Sequence, residues 1–171
     1  MLSKGMQKAI NDQINAELYS SYMYAAMAMY FEDEDMSGAA GWMMAQAREE
    51  MVHAEKFMNY VNERGGRVIL EAIEKPPVEW DSVLAAFEAA LEHERKVSSL
   101  IGDLVTLARK ENDHMTDNFL QWYVAEQVEE EASAAEVVRK LKLVGGSGGG
   151  MFMIDNELGR RVFTPSSEGG E

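Results

Sequence analysis

Four long segments of this chain carry apolar residues at helical spacing, and a glutamate interrupts each stripe near its midpoint. The first stripe reads Ile10, Ile14, Glu17, Ser21, Tyr24, Ala28, Phe31. The second reads Met43, Gln46, Glu50, His53, Phe57, Tyr60. The third reads Leu84, Phe87, Leu91, Glu94, Ser98, Ile101, Val105, and the fourth reads Tyr123, Gln127, Glu130, Ala134, Val137, Leu141. Residues three and four apart share one face of a helix, so each stripe marks the inward face of a long amphipathic helix. A carboxylate on such a face needs a positive neighbour, because burying it alone costs on the order of several kcal/mol. None of the four stripes offers a basic residue at that level.

Helix boundaries follow from the local signals. Proline occurs only at 76, 77 and 165, which leaves long stretches free to be helical. Ser3 is suited to cap a first helix running to about Phe31, before the acidic turn Glu32-Asp33-Glu34-Asp35. Ser37 starts a second helix that Gly65-Gly66 ends, and Asp81 is suited to cap a third running to Lys110. After Glu111-Asn112-Asp113, a fourth runs to Val144. Short turns make helices one and two, and three and four, antiparallel hairpins. The stretch from Gly66 to Trp80, with Pro76-Pro77, lacks helical period and is long enough to run back along a bundle. The expected fold is all-α, a four-helix bundle with one long crossover over residues 1–144. Residues 145–163 read as a glycine hinge, Gly145 to Gly150, and a short fifth helix from Met151 to Arg161; residues 164–171 read as a disordered tail.

In antiparallel helices of equal length the midpoints lie at one level, so Glu17, Glu50, Glu94 and Glu130 should converge. His53 stands three residues after Glu50 in Glu50-Met51-Val52-His53, so both can grip one ion. Four carboxylates and two divalent cations sum to zero charge. Oxygen ligands with one imidazole suit iron or manganese better than copper or structural zinc, and the chemistry most consistent with such a pair is oxidation of Fe²⁺. Two-metal hydrolysis is the alternative, but no substrate-pocket motif accompanies it. A helical bundle without redox activity is a third reading. Glu49, Glu126 and Glu129 add negative charge beside the set, which suits a third, weaker cation site or simply a solvated acidic surface. Tyr24, two turns beyond Glu17 on one face, is placed to hydrogen-bond a ligand or donate an electron, or to serve as plain core. His93 falls off the ligand stripe, beside Glu94, and is expected to be exposed or to stand just behind the ligands.

Composition narrows the partners. The chain holds 30 Asp+Glu against 16 Lys+Arg, a formal charge of −14, which disfavours nucleic acid and favours cations. It has no cysteine, which excludes thiolate sites and iron–sulfur clusters. No apolar run approaches the roughly 20 residues that cross a bilayer, and Met1 to Gly5 carries no export signal. A cytoplasmic protein with no membrane partner is expected.

At these residues the chain resembles the prokaryotic non-haem ferritins, from about Met6 to Pro165. Gln121-Trp122-Tyr123-Val124-Ala125-Glu126-Gln127-Val128-Glu129-Glu130-Glu131 is the most specific piece, and Glu49-Glu50-Met51-Val52-His53-Ala54 is the second. The resemblance implies one ferroxidase iron site of Glu17, Glu50 and His53. It implies a second of Glu50, bridging, with Glu94 and Glu130, and Gln127 near the oxidant. It implies a third iron site of Glu49, Glu126, Glu129 and Glu130, with Tyr24 and Trp122 as aromatics near the centre. It further implies oxidation of Fe²⁺ by O₂ or H₂O₂ and storage of Fe³⁺ mineral in a homo-oligomeric cage of 24 subunits. The fifth helix would then stand at a symmetry axis, and Asp113, His114 and Asp117 would be candidates for a pore.

Two relatives compete. Met51 stands where a thioether binds haem in the related bacterioferritins. Those proteins tend to carry Glu-x-x-His on the fourth helix, whereas this chain has Gln127-Val128-Glu129-Glu130, so haem is not expected and Met51 is expected to pack at a subunit interface. The other is a di-iron oxidoreductase that stores nothing.

Overall fold

The computed structural model describes residues 1–163; the expected tail, 164–171, lies outside the described residues. Five helices and no strand occur among the described residues: α1 Lys4–Asp33, α2 Ser37–Glu63, α3 Val83–Lys110, α4 His114–Val144 and α5 Gly148–Leu158. The four long helices match the sequence reading, and their ends follow side-chain chemistry. Ser3 caps α1 by accepting from the Met6 N–H at 2.9 Å. Asp35 and Asn112, both at φ 56°, make the two hairpin turns, a left-handed conformation that Asp and Asn tolerate. The cap of α3 is Ser82 rather than Asp81. Ser82 is extended and its Oγ accepts from the Ala85 N–H at 3.1 Å, the reach from the capping position to the third helical residue.

The crossover runs along α1. Asn11 accepts from the Ile69 N–H at 2.7 Å and donates to the Arg67 carbonyl at 3.1 Å. Further along, Asn15 donates to the Ala72 carbonyl at 3.3 Å, and Tyr30 donates to the Trp80 carbonyl at 3.1 Å. Positions 11, 15 and 30 of α1 thus meet 67–69, 72 and 80 in the same order. The chain returns along the length of the bundle before α3 begins, as a two-hairpin bundle requires.

The core is split into two apolar clusters. One contains Met27 and Phe31 of α1, Met43 of α2, Phe87 of α3 and Leu141 of α4. The other contains Ile10 and Ile14, Phe57, Ile101 and Tyr123 from the same four helices. Glu17, Glu50, Glu94 and Glu130 belong to neither and fall between them in every helix, so a polar layer sits between two hydrophobic plugs.

The fifth helix begins at Gly148, three residues before the expected Met151, and ends at Leu158. Gly145 and Gly146, at φ 54° and 79°, end α4 in left-handed conformation and turn the chain. A Cβ on Gly150 would lie 2.7 Å from the Val144 side chain, so glycine lets α5 start close against the end of α4. Helix α5 packs against α2 and α4, burying Ile154 and Leu158. At Gly38 an added Cβ would lie 1.8 Å from the Asp155 carbonyl oxygen. Asp155 also accepts from the Ala39 N–H at 2.8 Å, capping an α2 terminus whose own N-cap, Met36, makes no side-chain bond.

Candidate metal centre

Each helix contributes one carboxylate to the polar layer: Glu17, Glu50, Glu94 and Glu130 are 1%, 2%, 1% and 7% exposed, and His53 is 4% exposed. Glu50 and His53 share a face of α2, with Nδ1 of the ring 3.4 Å from Glu50 Oε2. Glu17, Glu50 and His53 each bring one ligand atom within 4.8 Å of the others. So do His53, Glu126 and Glu130, which turns His53 toward both the buried layer and the acidic edge of α4.

Amides and a phenol hold these carboxylates. Gln13 donates to Glu17 at 2.8 Å, and Gln46 donates to Glu130 at 2.7 Å and to Glu50 at 3.3 Å. Tyr24 donates to Glu94 Oε1, and Gln127 donates to Glu94 Oε2 at 3.2 Å. Tyr123, beside the His53 ring, donates to the His53 carbonyl at 2.8 Å. Glu94 is thus held by Tyr24 and Gln127 and stands outside both ligand triplets. Gln13 and Gln46 are site residues that the residue pattern alone does not single out. The available signal was spacing, since each glutamine lies four residues before a glutamate on one helical face.

Without a cation the layer holds protons. Burial, then the neighbouring Glu50, raises Glu17 from 4.5 to about 8. Burial, then Glu94, raises Glu130 to about 7. Glu50 is pushed up by burial and by Glu94 and Glu130, and Glu94 by burial. Glu17 Oε2 and Gln46 Oε1 are buried without a hydrogen-bond partner among the described residues. An orphaned carboxylate oxygen beside an imidazole, with three more carboxyls in the same layer, is a donor set that fits hard or borderline divalent cations.

At the edge of the layer a pocket of about 280 Å³ is lined by Glu49, His53, Trp122, Glu126, Glu129 and Glu130. Its acids differ. Glu126 is partly buried and raised, by burial first, while Glu129 is exposed. Glu49 is paired with Arg161, which follows α5 and lines the same pocket. No pattern in the residue order points to a basic residue here, because Arg161 lies 112 residues away along the chain. Trp122 stands edge-on to the His53 ring at 5.3 Å. Met51 is 41% exposed and faces away from the layer.

Polar residues beyond the layer also find partners. His93 is half-buried, 2.7 Å from Ser20 Oγ through Nε2, and burial lowers it to about 4. Asp113, a pore candidate, has partners within its own chain. It accepts from Arg64 at 3.1 Å and from the Thr116 N–H at 3.1 Å, so it fastens the bundle end and caps α4. Asp117 pairs with Arg109 at 3.1 Å, and His114 remains exposed.

A family model described as "Ferritin-like domain" matches residues 7–144. The chain is 46% identical over 161 residues to the bacterial non-heme ferritin of Bacteroides fragilis (strain 638R), covering 94% of this chain and 100% of the relative. It is 36% identical over 163 residues to that of Staphylococcus aureus (strain MRSA252), covering 95% and 98%. Among solved structures, it resembles the open-pore ferritin of the hyperthermophilic archaeon Archaeoglobus fulgidus with TM-score 0.94 and 52% identity, covering 95% of this chain and 100% of the other.

Proposed function

The chain belongs to the ferritin family, and on that premise we propose that it is an iron-storage protein that oxidises Fe²⁺ before storing it. The observation that carries the reading is the buried layer itself: four glutamates and one histidine, one acid per helix, between two apolar clusters. Without metal such a layer is unfavourable, and a pair of divalent cations neutralises it. Fe²⁺ enters as substrate. Glu17, Glu50 and His53 take one ion, and Glu50, Glu94 and Glu130 take its neighbour. An oxidant between two such ions receives one electron from each. With O₂ and two protons the product is H₂O₂; with H₂O₂ as oxidant and two protons it is two waters.

The chain's own groups prepare that step. Gln13 and Gln46 fix the oxygens of Glu17, Glu50 and Glu130. Tyr24 and Gln127 hold Glu94 by both oxygens. Carboxyls raised to about 8 and about 7 lose their protons as Fe²⁺ binds, so cation uptake carries its own charge compensation. The pocket of Glu126, Glu129 and Glu130 serves as a third, weaker position on the way out of the centre. A cage of 24 copies and storage in the cytoplasm, where iron is kept reduced, belong to the same proposal.

Aerobic loading with Fe²⁺ followed by size-exclusion with light scattering tests the storage half. A particle of about 24 chains that retains far more iron than two per chain is expected. A monomer that retains about two irons per chain would leave only a di-iron oxidoreductase.

A further inference from the structure

Among the described residues, Arg161 is the one arginine or lysine that lines the acidic pocket at the edge of the centre. It is held from two sides. Its guanidinium lies over the Trp42 ring at 4.4 Å, and Nη2 donates to Glu49 Oε2. Arg161 and Glu49 are only 21% and 23% exposed, so the pair is mostly shielded from water. Nη1 is buried and has no hydrogen-bond partner among the described residues. A guanidinium with an unused buried donor, seated among carboxylates, occupies the ground that a third metal ion would use.

We propose that Arg161 is a tethered cation that competes with Fe²⁺ for Glu49 and so sets the affinity of the third position. This rests on the two-metal reading above. With Arg161 docked, Glu49 is neutralised and the position retains Glu126, Glu129 and Glu130. A metal ion that recruits Glu49 must displace the guanidinium, so occupancy of the third position and docking of the segment after α5 oppose each other. By linkage the opposition is reciprocal: metal at the third position loosens Arg161 from Trp42, and loss of Arg161 tightens the third position. The consequence for storage is transit. Iron leaving the centre meets a position weakened by a built-in competitor, and it moves on instead of resting there.

The competition is read without turnover, using Zn²⁺, which cannot be oxidised. Zn²⁺ is titrated calorimetrically into the assembled parent protein, Arg161→Gln, Glu49→Gln and the double variant. The parent is expected to show tight binding to the buried pair and a weaker third step. In Arg161→Gln the third step tightens by about tenfold or more, as loss of a charge-assisted contact allows, while the tight steps stay unchanged. In the Glu49→Gln background the same Arg161 substitution has no such effect, because its partner is gone. Tryptophan emission of a Trp80→Phe, Trp122→Phe form, which leaves Trp42 as reporter, changes at the third step and only with Arg161 present. A third step of equal affinity in parent and Arg161→Gln, with the tight steps intact, overturns the role of Arg161 alone. Absence of tight Zn²⁺ steps in every protein overturns the two-metal reading together with it.

Discussion

Glu17→Gln separates what the buried layer costs the empty protein from what it gives the loaded one. The side chain keeps its size and can still accept from Gln13, so the substitution removes charge with little change of shape. In the unfolded chain the Glu17 carboxyl titrates near 4.5, and in the folded metal-free chain near 8. Between those values the folded chain holds a proton that the unfolded chain has lost. The contribution to stability is therefore fully present below pH 4.5 and is lost as pH rises through 8. At about 1.4 kcal/mol per pH unit, the loss reaches about 3 kcal/mol at pH 7 and about 4 kcal/mol at pH 8. Metal-free Glu17→Gln lacks this slope, so scanning calorimetry should find it level with the parent at pH 4.5 and above it by on the order of 10 °C at pH 8. With Zn²⁺ in excess the order reverses, because the parent gains a ligand that the variant lacks. Parallel curves for the two metal-free proteins between pH 5 and 8, or a gap that widens toward acid, would refute the reasoning.

Other outcomes follow from individual contacts. Zn²⁺ binding at pH 6 should release more protons per chain than at pH 8.5, since carboxyls near 8 and 7 are still protonated in the acid solution; calorimetry in buffers of different ionisation enthalpy counts them. Gly38→Ala should drive α5 off α2, because its Cβ would meet the Asp155 carbonyl at 1.8 Å; a loss of about 1–3 kcal/mol and faster proteolysis after residue 145 are expected. Tyr24→Phe should leave the fold and the metal count intact while slowing iron oxidation about tenfold, read by stopped flow, because Glu94 loses a charge-assisted donor. Arg64→Met should cost about 1–3 kcal/mol in thermal unfolding, since it removes the Nη2 donor that both Asp113 oxygens accept from.

What the sequence made legible, and what it hid, divides along a physical line. Helical period and turn chemistry are local, so the four long helices, the hairpins and the crossover could be read from residue order. The meeting of Glu17, Glu50, Glu94 and Glu130 also followed from local information, because equal antiparallel helices bring their midpoints together. Gln46 stood on the ligand stripe, yet nothing in the order of residues said that one amide would reach both Glu50 and Glu130. Ser82 displaced Asp81 as a cap because one residue of register decides which oxygen reaches the Ala85 N–H. The start of α5 inside a glycine run was hidden because packing against α2 and α4, not propensity, holds it. Arg161 was invisible for the same reason: its partners Trp42 and Glu49 are set by how α5 docks, a tertiary fact with no local trace.

We propose that the buried acids and His53 act as one unit, holding the two ferrous ions that O₂ oxidises. The most direct test is anaerobic Fe²⁺ added in steps to the assembled protein and then mixed with O₂, in parent, Glu50→Ala and His53→Ala. Fast oxidation that saturates at about two irons per chain in the parent and collapses in both variants is the expected result. Oxidation no faster than in protein-free buffer, or equally fast in the variants, would contradict it.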